Sequence, residues 1–398
     1  MGLTSKGVFV IGAKRTPFCK YGGLLREMPA SHAFAAAAKD AIRSANVDAS
    51  NIDCTIVGNI NFLSQCDGGK TPRYSGIYSG VPIEKPALGV NKACGTGLQA
   101  IVTSAVDIIF GTSNLCLTGG TEITSTLPLL VRNVRFGTSL GATYHLEDHI
   151  KKQFPDTYCG LTRPRIVEYL AEKYNISREA ADQFALESYT KWKEAKETNV
   201  FKEELTQVKV TLKKKESLIT DDEVSQRHID TKQLEATPPL TAEGEVVTAA
   251  NSAVPADGAS ALLLASEDMV NNRGVQPLAR ISGWATVGVP PEETGLGATQ
   301  AIKKLLKDLQ KDIKDIDLFE INENFAPEVL IAMKELQLDP STVNVSGGAL
   351  AVGDPVSASG ARIATHLVHQ LKHRNMRRGI AASSCGGGQG IAVMFERV

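Results

Sequence analysis

The chain has 398 residues, enough for two domains with substantial cores, and 42% of them are hydrophobic. Its 43 Lys and Arg against 44 Asp and Glu leave a net charge of −1, which argues against a nucleic-acid or strongly membrane-attracted surface. Seven cysteines without regular spacing argue against a disulfide framework, and no apolar run approaches a membrane span.

Gly7–Ile11 reads as a first core strand. Around it Lys6, Lys14, Arg15, Lys20 and Arg26 precede the first acidic residue, Glu27. Such a start reads either as a retained address to the mitochondrial matrix or as a cytoplasmic protein beginning with a strand. Ala33, Phe34, Ala37, Ala41 and Ile42 share one helical face, and a β-branched strand follows over 52–59. Val90-Asn91 then enters a glycine-punctuated loop, with a helix expected from near Gly97 and a strand, Leu115–Thr118, running into Gly119-Gly120.

The segment from about 121 to 245 has a different character. It holds a helix capped by Ser177, with Ala181, Phe184, Ala185 and Trp192 on one face, and a lysine-rich stretch from about 195 to 230. It reads as an insertion covering one face of the core. Ala259–Leu264 returns the chain to the first half's sheet.

The order of elements then repeats. Ala298, Ile302, Leu305, Leu306 and Leu309 form an apolar stripe, and a strand follows over 316–322. Val343-Asn344 enters a second glycine loop, a helix is expected from near Gly360, and Gly379–Ser384 reads as a strand. Strands alternating with helices predict mainly parallel sheets covered on both faces. The expected divisions are 1–120, completed by about 246–270, then 121–245, then 271–398.

Cys94 lies in Ala-Cys-Gly-Thr-Gly between a predicted strand and helix, where free backbone N–H groups and the helix dipole favour a thiolate. The alternative is a small buried hydrophobe, as expected for Cys54 and Cys116. Asn322 follows a strand directly and is placed to hold a water or a carbonyl oxygen, or simply to make a turn. Gly386–Gly390 lets backbone N–H groups converge on an oxyanion. His366, His369 and His373 share a face of the last helix, without nearby carboxylates or cysteines in sequence, so no metal site is expected.

Together these segments resemble the thiolase family, particularly its 3-ketoacyl-CoA branch. The likeness covers nearly the whole chain. It includes Ala13–Pro17, the Cys94 loop, Val131–Gly137, Val247–Asn251, Asp257–Ala259, the Asn322 loop and the glycine-rich 347–360 and 386–390 segments. The resemblance implies an α/β fold with a duplicated five-layer α/β/α/β/α core, an inserted loop domain over the CoA site, and a homodimer or homotetramer. It implies no tightly bound cofactor, with coenzyme A as substrate or product and acyl-CoA or 3-ketoacyl-CoA as partner. By position Cys94 becomes the nucleophile and Asn322 the water-binding residue, with the Gly386 N–H joining that of Cys94 in an oxyanion hole. Arg227, Ser252, Ala253 and Phe325 become contacts to CoA.

Two catalytic positions depart from the family. Its Gly-His-Pro is here Gly353-Asp354-Pro355, and its second cysteine falls on Ser384, leaving Cys385 in the usual aliphatic position. Its loop-domain Thr-Ala-Glu-Asn is here Thr162-Arg163-Pro164-Arg165, and its Asn-Ala-Ser is Asn251-Ser252-Ala253. A carboxylate beside a thiol raises the thiol's pKa where an imidazolium would lower it. A serine hydroxyl is too weak an acid to replace a thiolate base. The resemblance therefore implies an acyl-CoA enzyme whose ordinary thiolysis is impaired. The alternatives are a diverged hydrolase or other acyltransferase, and a non-catalytic acyl-CoA binder.

Overall fold

The computed structural model describes residues 7–61, 67–153, 155–212, 214–223 and 229–398. Its first half comprises β1 (Val8–Arg15), α1 (Ala30–Ser44), β2 (Cys54–Gly58), α2 (Thr71–Ser79), β3 (Ala87–Val90), α3 (Thr96–Phe110) and β4 (Leu115–Ile123). The insertion contributes α4 (Arg163–Lys173), α5 (Arg178–Glu197) and a hairpin of Val208–Leu212 with Lys215–Ile219. β5 (Ala256–Ser266) closes the first half. The second half runs β6 (Ala279–Gly288), α6 (Gly297–Leu309), β7 (Leu318–Ile321), α7 (Ala326–Leu336), α8 (Val356–His373), β8 (Arg378–Cys385) and β9 (Gln389–Glu396).

The strands lie in the order β7-β8-β9-β6-β1-β5-β4-β2-β3. Read outward from the central β6–β1 junction, the two halves match. β1-β5-β4-β2-β3 corresponds to β6-β9-β8-β7, and a parallel bridge from Phe319 to Val343 stands where β3 would be. The duplication legible in sequence is thus a duplication of topology.

The expectation of mainly parallel sheets is corrected. Only β2–β3, β2–β4 and β7–β8 are parallel; β1–β5, β4–β5, β6–β9, β8–β9 and the β1–β6 junction are antiparallel. Each half ends with a strand that returns without a crossover helix, through the Gly386–Gly388 turn in one case and the insertion in the other. That strand slots in beside the half's first strand; for β9 the tight turn from β8 can only give an antiparallel pair, while β5, which follows the long insertion, pairs antiparallel with both β1 and β4.

Three apolar clusters account for five layers. The outer face of the first half packs against α1, where Ala33, Phe34, Ala37, Ala41 and Ile42 are all buried as their spacing predicts. The second half's outer face packs against α6 through Ala298, Ile302, Leu305 and Leu306. Between the sheets lie α3 and α8, contributing Leu98, Ile101, Ala105, Ile363, Leu367 and Leu371 to one core.

α8 is buried from Ser357 to Leu371, so it has no solvent face. It starts one turn before the expected Gly360, immediately after Pro355. Gly360 is needed inside the helix instead: a Cβ there would stand 2.7 Å from the Leu98 nitrogen, and one at Gly97 would stand 2.4 Å from the Ala361 nitrogen. These two glycines set the crossing of α3 and α8. The span Ala93–Phe110, which contains α3, is long and apolar enough by composition to cross a membrane, so the reading that no such run exists is also corrected. Here that apolarity serves the middle layer.

Ser177 caps α5 as expected, accepting the Ala180 N–H at 3.2 Å. The insertion is fastened to the core by buried charge. Arg15 of β1 donates to Glu204 at 2.7 Å and to both Asp222 oxygens at 2.7 and 3.0 Å, while His366 of α8 meets the other Glu204 oxygen at 2.7 Å.

Glu122, buried at the end of β4, accepts the Ser357 hydroxyl at 2.5 Å and the Ile60 N–H at 3.2 Å. Burial outweighs these bonds and pushes its carboxyl up to about 7. The folded chain therefore keeps a proton that the unfolded chain releases near pH 4.3. The stabilising contribution is full below about pH 4.3 and lost as pH rises through 7. Glu122→Gln is expected to flatten the pH dependence of the unfolding midpoint between about pH 5 and 7. Thermal melts of both proteins across that range check it.

Candidate active site

Cys94 sits between the end of β3 and the start of α3 in a turn that its neighbours fix. Ala93 has φ of +45°, a left-handed conformation that costs an L residue about 1 kcal/mol or more. The Lys92 N–H donates to Thr96 Oγ1 at 2.7 Å, and the Gly95 and Thr96 N–H groups donate back to Lys92 and Ala93 carbonyls at 3.0 Å. Gly95 has no room for a side chain, since a Cβ would lie 2.4 Å from Cys385 Sγ. Cys94 itself is half-buried.

Cys385 is fully buried within the middle core, and burial pushes its thiol up to about 12. It supports the Cys94 loop from beneath, packed against Gly95. The next residue, Gly386, lies beside Ala93: a Cβ on it would stand 3.5 Å from the Ala93 Cβ. The Ser384 hydroxyl donates to the Gly295 carbonyl at 2.9 Å and accepts the Ala298 N–H at 3.0 Å. Its one proton is therefore committed to backbone.

Asp354 follows Gly353, whose φ of +84° turns the chain into α8. Its N–H donates to the Val254 carbonyl at 2.9 Å, and the Ser359 hydroxyl donates to its Oδ1. Burial raises its carboxyl above the usual range, against the opposing pull of Ser359, Arg362, Asn322 and Arg163. The Cys94 thiol is raised as well, first by burial, then by the charge of Asp354, with Arg163 pulling the other way. The carboxylate thus acts on the thiol in the direction anticipated, although desolvation is the larger cause.

Asn322 leaves β7 with its N–H on the Ala382 carbonyl at 2.9 Å, and its Nδ2 donates to Asn324 Oδ1 at 2.6 Å. Asn322 Oδ1 and Asn324 Nδ2 are buried without a protein partner, so this pair retains one acceptor and one donor. Asn322 also pulls the Asp354 carboxyl down, so the two groups lie close together. Cys94, Asn322 and Asp354, spread over 261 positions of sequence, converge on one site.

Of the residues expected to contact CoA, three form one wall. Ser252 bridges Phe325 in antiparallel fashion, and the Ala253 N–H donates to the Asn324 carbonyl at 3.0 Å. Ser252 spends its hydroxyl proton on the Thr248 carbonyl at 2.6 Å. Arg227 lies outside the described residues. A surface groove lined by Ile229, Gln233, Thr237 and Ala250 opens next to this wall.

Sequence reasoning missed Glu328, which is buried one turn into α7 and accepts Arg163 Nη2 at 2.6 Å. It also missed Glu323, which pins the loops by accepting the Ser188 hydroxyl at 2.7 Å, Asn344 Nδ2 at 2.8 Å and the Leu350 N–H at 3.1 Å. The available signal was charge: Glu320, Glu323 and Glu328, spread over the strand end, the Asn322 loop and the start of its helix, are too many for a buried segment without partners.

The histidine reading is corrected too. Carboxylates do reach that face of α8, from a distance in sequence: Glu204 for His366, and Glu203 for His369 at 3.7 Å and His373 at 3.3 Å. His366 and His369 are buried rather than at the core's edge. Among the described residues no group of three or more His, Cys, Asp or Glu is arranged to hold a metal ion.

The family description "Thiolase, N-terminal domain" matches residues 8–268, and "Thiolase, C-terminal domain" matches residues 275–397. This chain belongs to the thiolase family. It is 41% identical over 391 residues to the mitochondrial 3-ketoacyl-CoA thiolase of Homo sapiens, covering 98% of both chains. To a probable acetyl-CoA acyltransferase of Staphylococcus epidermidis it is 36% identical over 391 residues, 97% of each. The crystal structure of human mitochondrial 3-ketoacyl-CoA thiolase in complex with CoA superposes with a TM-score of 0.96 at 40% identity, covering 100% of this chain and 99% of that one.

Proposed function

We propose that this thiolase acts on acyl-CoA thioesters through an acyl-cysteine at Cys94, and that its thiolysis of 3-ketoacyl-CoA is slow. The observation that carries this reading is the Asp354 carboxyl facing Cys94. In cleavage of a 3-ketoacyl-CoA, Cys94 Sγ attacks the C3 carbonyl and its proton passes to the Asp354 carboxylate. The C2–C3 bond then breaks, and the departing acetyl-CoA enolate must take a proton. With Ser384 committed to Gly295, no second thiol supplies it. The Cys94 and Gly386 N–H groups stabilise the oxyanion during attack. Loss of positioned acid–base catalysis is worth roughly 10²- to 10⁴-fold.

A second reading is supported by the unpaired amide atoms of Asn322 and Asn324 close to Asp354. A water held there would give its proton to Asp354 while attacking the acyl-Cys94 carbonyl, releasing a carboxylic acid and making the chain a hydrolase.

Incubation with acyl-CoA and intact-mass measurement tests the common step. The expected result is an acyl adduct on the Cys94 peptide that is absent from Cys94→Ala. Its decay in water without added CoA would favour the hydrolase, and an unmodified protein would sink both readings.

We also propose a homodimer formed along β3, an edge strand whose Leu88 is 48% exposed. Light scattering reads its mass directly. Residence in the mitochondrial matrix is supported by the mitochondrial relative, and cytoplasmic residence by the staphylococcal one. Fractionation of the native cell decides between them.

A further inference from the structure

We propose that Ser359 is a positioning residue: its hydroxyl orients the Asp354 carboxylate to take the Cys94 proton, from a turn of α8 locked against α3. This role deepens the acyl-cysteine reading and rests on it for its purpose. Ser359 lies in the first turn of α8, is 1% exposed, and donates its hydroxyl proton to Asp354 Oδ1. Asp354 is held from a second side, since its N–H donates to the Val254 carbonyl at 2.9 Å where Pro255 bridges Asp354 in parallel fashion. With the backbone and one carboxylate oxygen both fastened, the other oxygen is given a single direction.

Backbone contact ties that direction to the nucleophile's own helix. Gly97, three residues after Cys94, presses on the same turn of α8: a Cβ there would lie 2.4 Å from the Ala361 nitrogen and 3.0 Å from the Ser357 carbonyl oxygen. Gly360, next to Ser359, presses back, with a Cβ 2.7 Å from the Leu98 nitrogen. Close-packed backbones leave the two helices no room to slide past each other. Ser357 does not replace Ser359, because it spends its own hydroxyl proton on Glu122 at 2.5 Å. A hydroxyl donated to a carboxylate favours the ionised form, which is the form able to accept a proton. Burial raises the Cys94 thiol, so its proton leaves during attack and needs an oriented acceptor. The charged and titratable groups around Asp354 are Arg362 of α8, Arg163 of α4, Cys94 before α3 and Glu328 of α7. They act on the carboxyl through charge, whereas Ser359 fixes its direction.

The rate of acyl-adduct formation at Cys94, followed by mass spectrometry from about pH 4 to 9, tests the assignment. It is measured in wild type, Ser359→Ala, Asp354→Asn and the pair Asp354→Asn/Ser359→Ala. Ser359→Ala is expected to move the acid limb up by about one pH unit, slowing acylation about tenfold on that limb and less above it. Beside Asp354→Asn the same change should alter the rate by no more than about twofold, because the carboxylate it serves is gone. Ser359→Ala strands a buried oxygen and risks unfolding, so Ser359→Thr and Ser359→Val, alike in shape, repeat the comparison. Thr should keep the wild-type limb and Val should move it. An acid limb that stays in place, or an equal loss with and without the Asp354 carboxyl, would overturn the inference. Infrared titration of the Asp354 carboxyl band, identified by its loss in Asp354→Asn, reads the same midpoint without acylation. A midpoint raised by Ser359→Ala in a protein that forms no adduct would leave Ser359 as the holder of the carboxylate and remove the acyl-cysteine reading. An unmoved midpoint would overturn the inference whether or not an adduct forms.

Discussion

Placing an imidazole at 354 and a thiol at 384, Asp354→His with Ser384→Cys, is expected under the proposed function to raise thiolysis of acetoacetyl-CoA by about 10²- to 10³-fold. Each replacement addresses a different step. An imidazole at 354 accepts the Cys94 proton and then carries positive charge beside the thiolate, where Asp354 carries negative charge. A thiol at 384 supplies an acidic proton to the departing enolate, which the committed Ser384 hydroxyl does not. Both steps must proceed for turnover, so either replacement alone should recover much less than the pair.

The imidazole at 354 would inherit Ser359, which now donates to Asp354 Oδ1, as a hydrogen-bond partner. Arg163 and Arg362 also act on that position, and both disfavour a second cation there. The imidazole should therefore be free to accept a proton at lower pH, and the recovered activity should rise from a more acidic pH than an imidazole without those neighbours would give. A steady-state assay with free CoA, run on wild type, both single variants and the pair, measures this. Equal activity in wild type and the pair would mean that the two departures are not what limits this chain.

Arg15→Met is expected to destabilise the fold by about 3–5 kcal/mol, more than any surface substitution. Arg15 is 1% exposed, and the side chain it would lose neutralises Glu204 and Asp222, also buried. Asp222 would keep the Phe18 N–H at 2.7 Å and Glu204 would keep His366. Neither bond replaces a full charge. Burial alone would raise Glu204, yet His366 and Arg15 together hold its carboxyl well below the usual range. That contribution is present above about pH 4.3 and is lost as pH falls through the lower folded value. Urea unfolding of both proteins at pH 7 reads the loss. A shift below 1 kcal/mol would show that the insertion is held by its apolar contacts instead. Since α4 carries Arg163 and α5 covers the 347–353 loop, loosening the insertion should also weaken the site.

Much of this architecture was legible because periodicity reports burial. The stripes on α1 and α6 and the cap at Ser177 depend on residues within a few positions of one another, so local spacing suffices to find them. The strand directions were not legible. Whether β5 and β9 return parallel or antiparallel depends on where the chain re-enters the sheet, and a β-branched run reads alike in either direction. The start of α8 was misjudged because Gly360 reads as a boundary in sequence, whereas its use is close approach to Leu98 on another helix.

The site divides in the same way. Cys94, Asn322, Asp354 and Ser384 were identifiable one by one, each beside glycines or at the end of a strand. The sequence by itself determined which chemical groups this thiolase has at those four places. Only the tertiary structure decided what those groups face: the Ser384 proton bound to Gly295, Cys385 buried beneath Gly95, and a guanidinium brought in from the insertion. The physical reason is that a side chain's identity is local, while its solvation and charged neighbours are set by segments far apart in the chain. Those surroundings govern whether the Cys94 thiol gives up its proton.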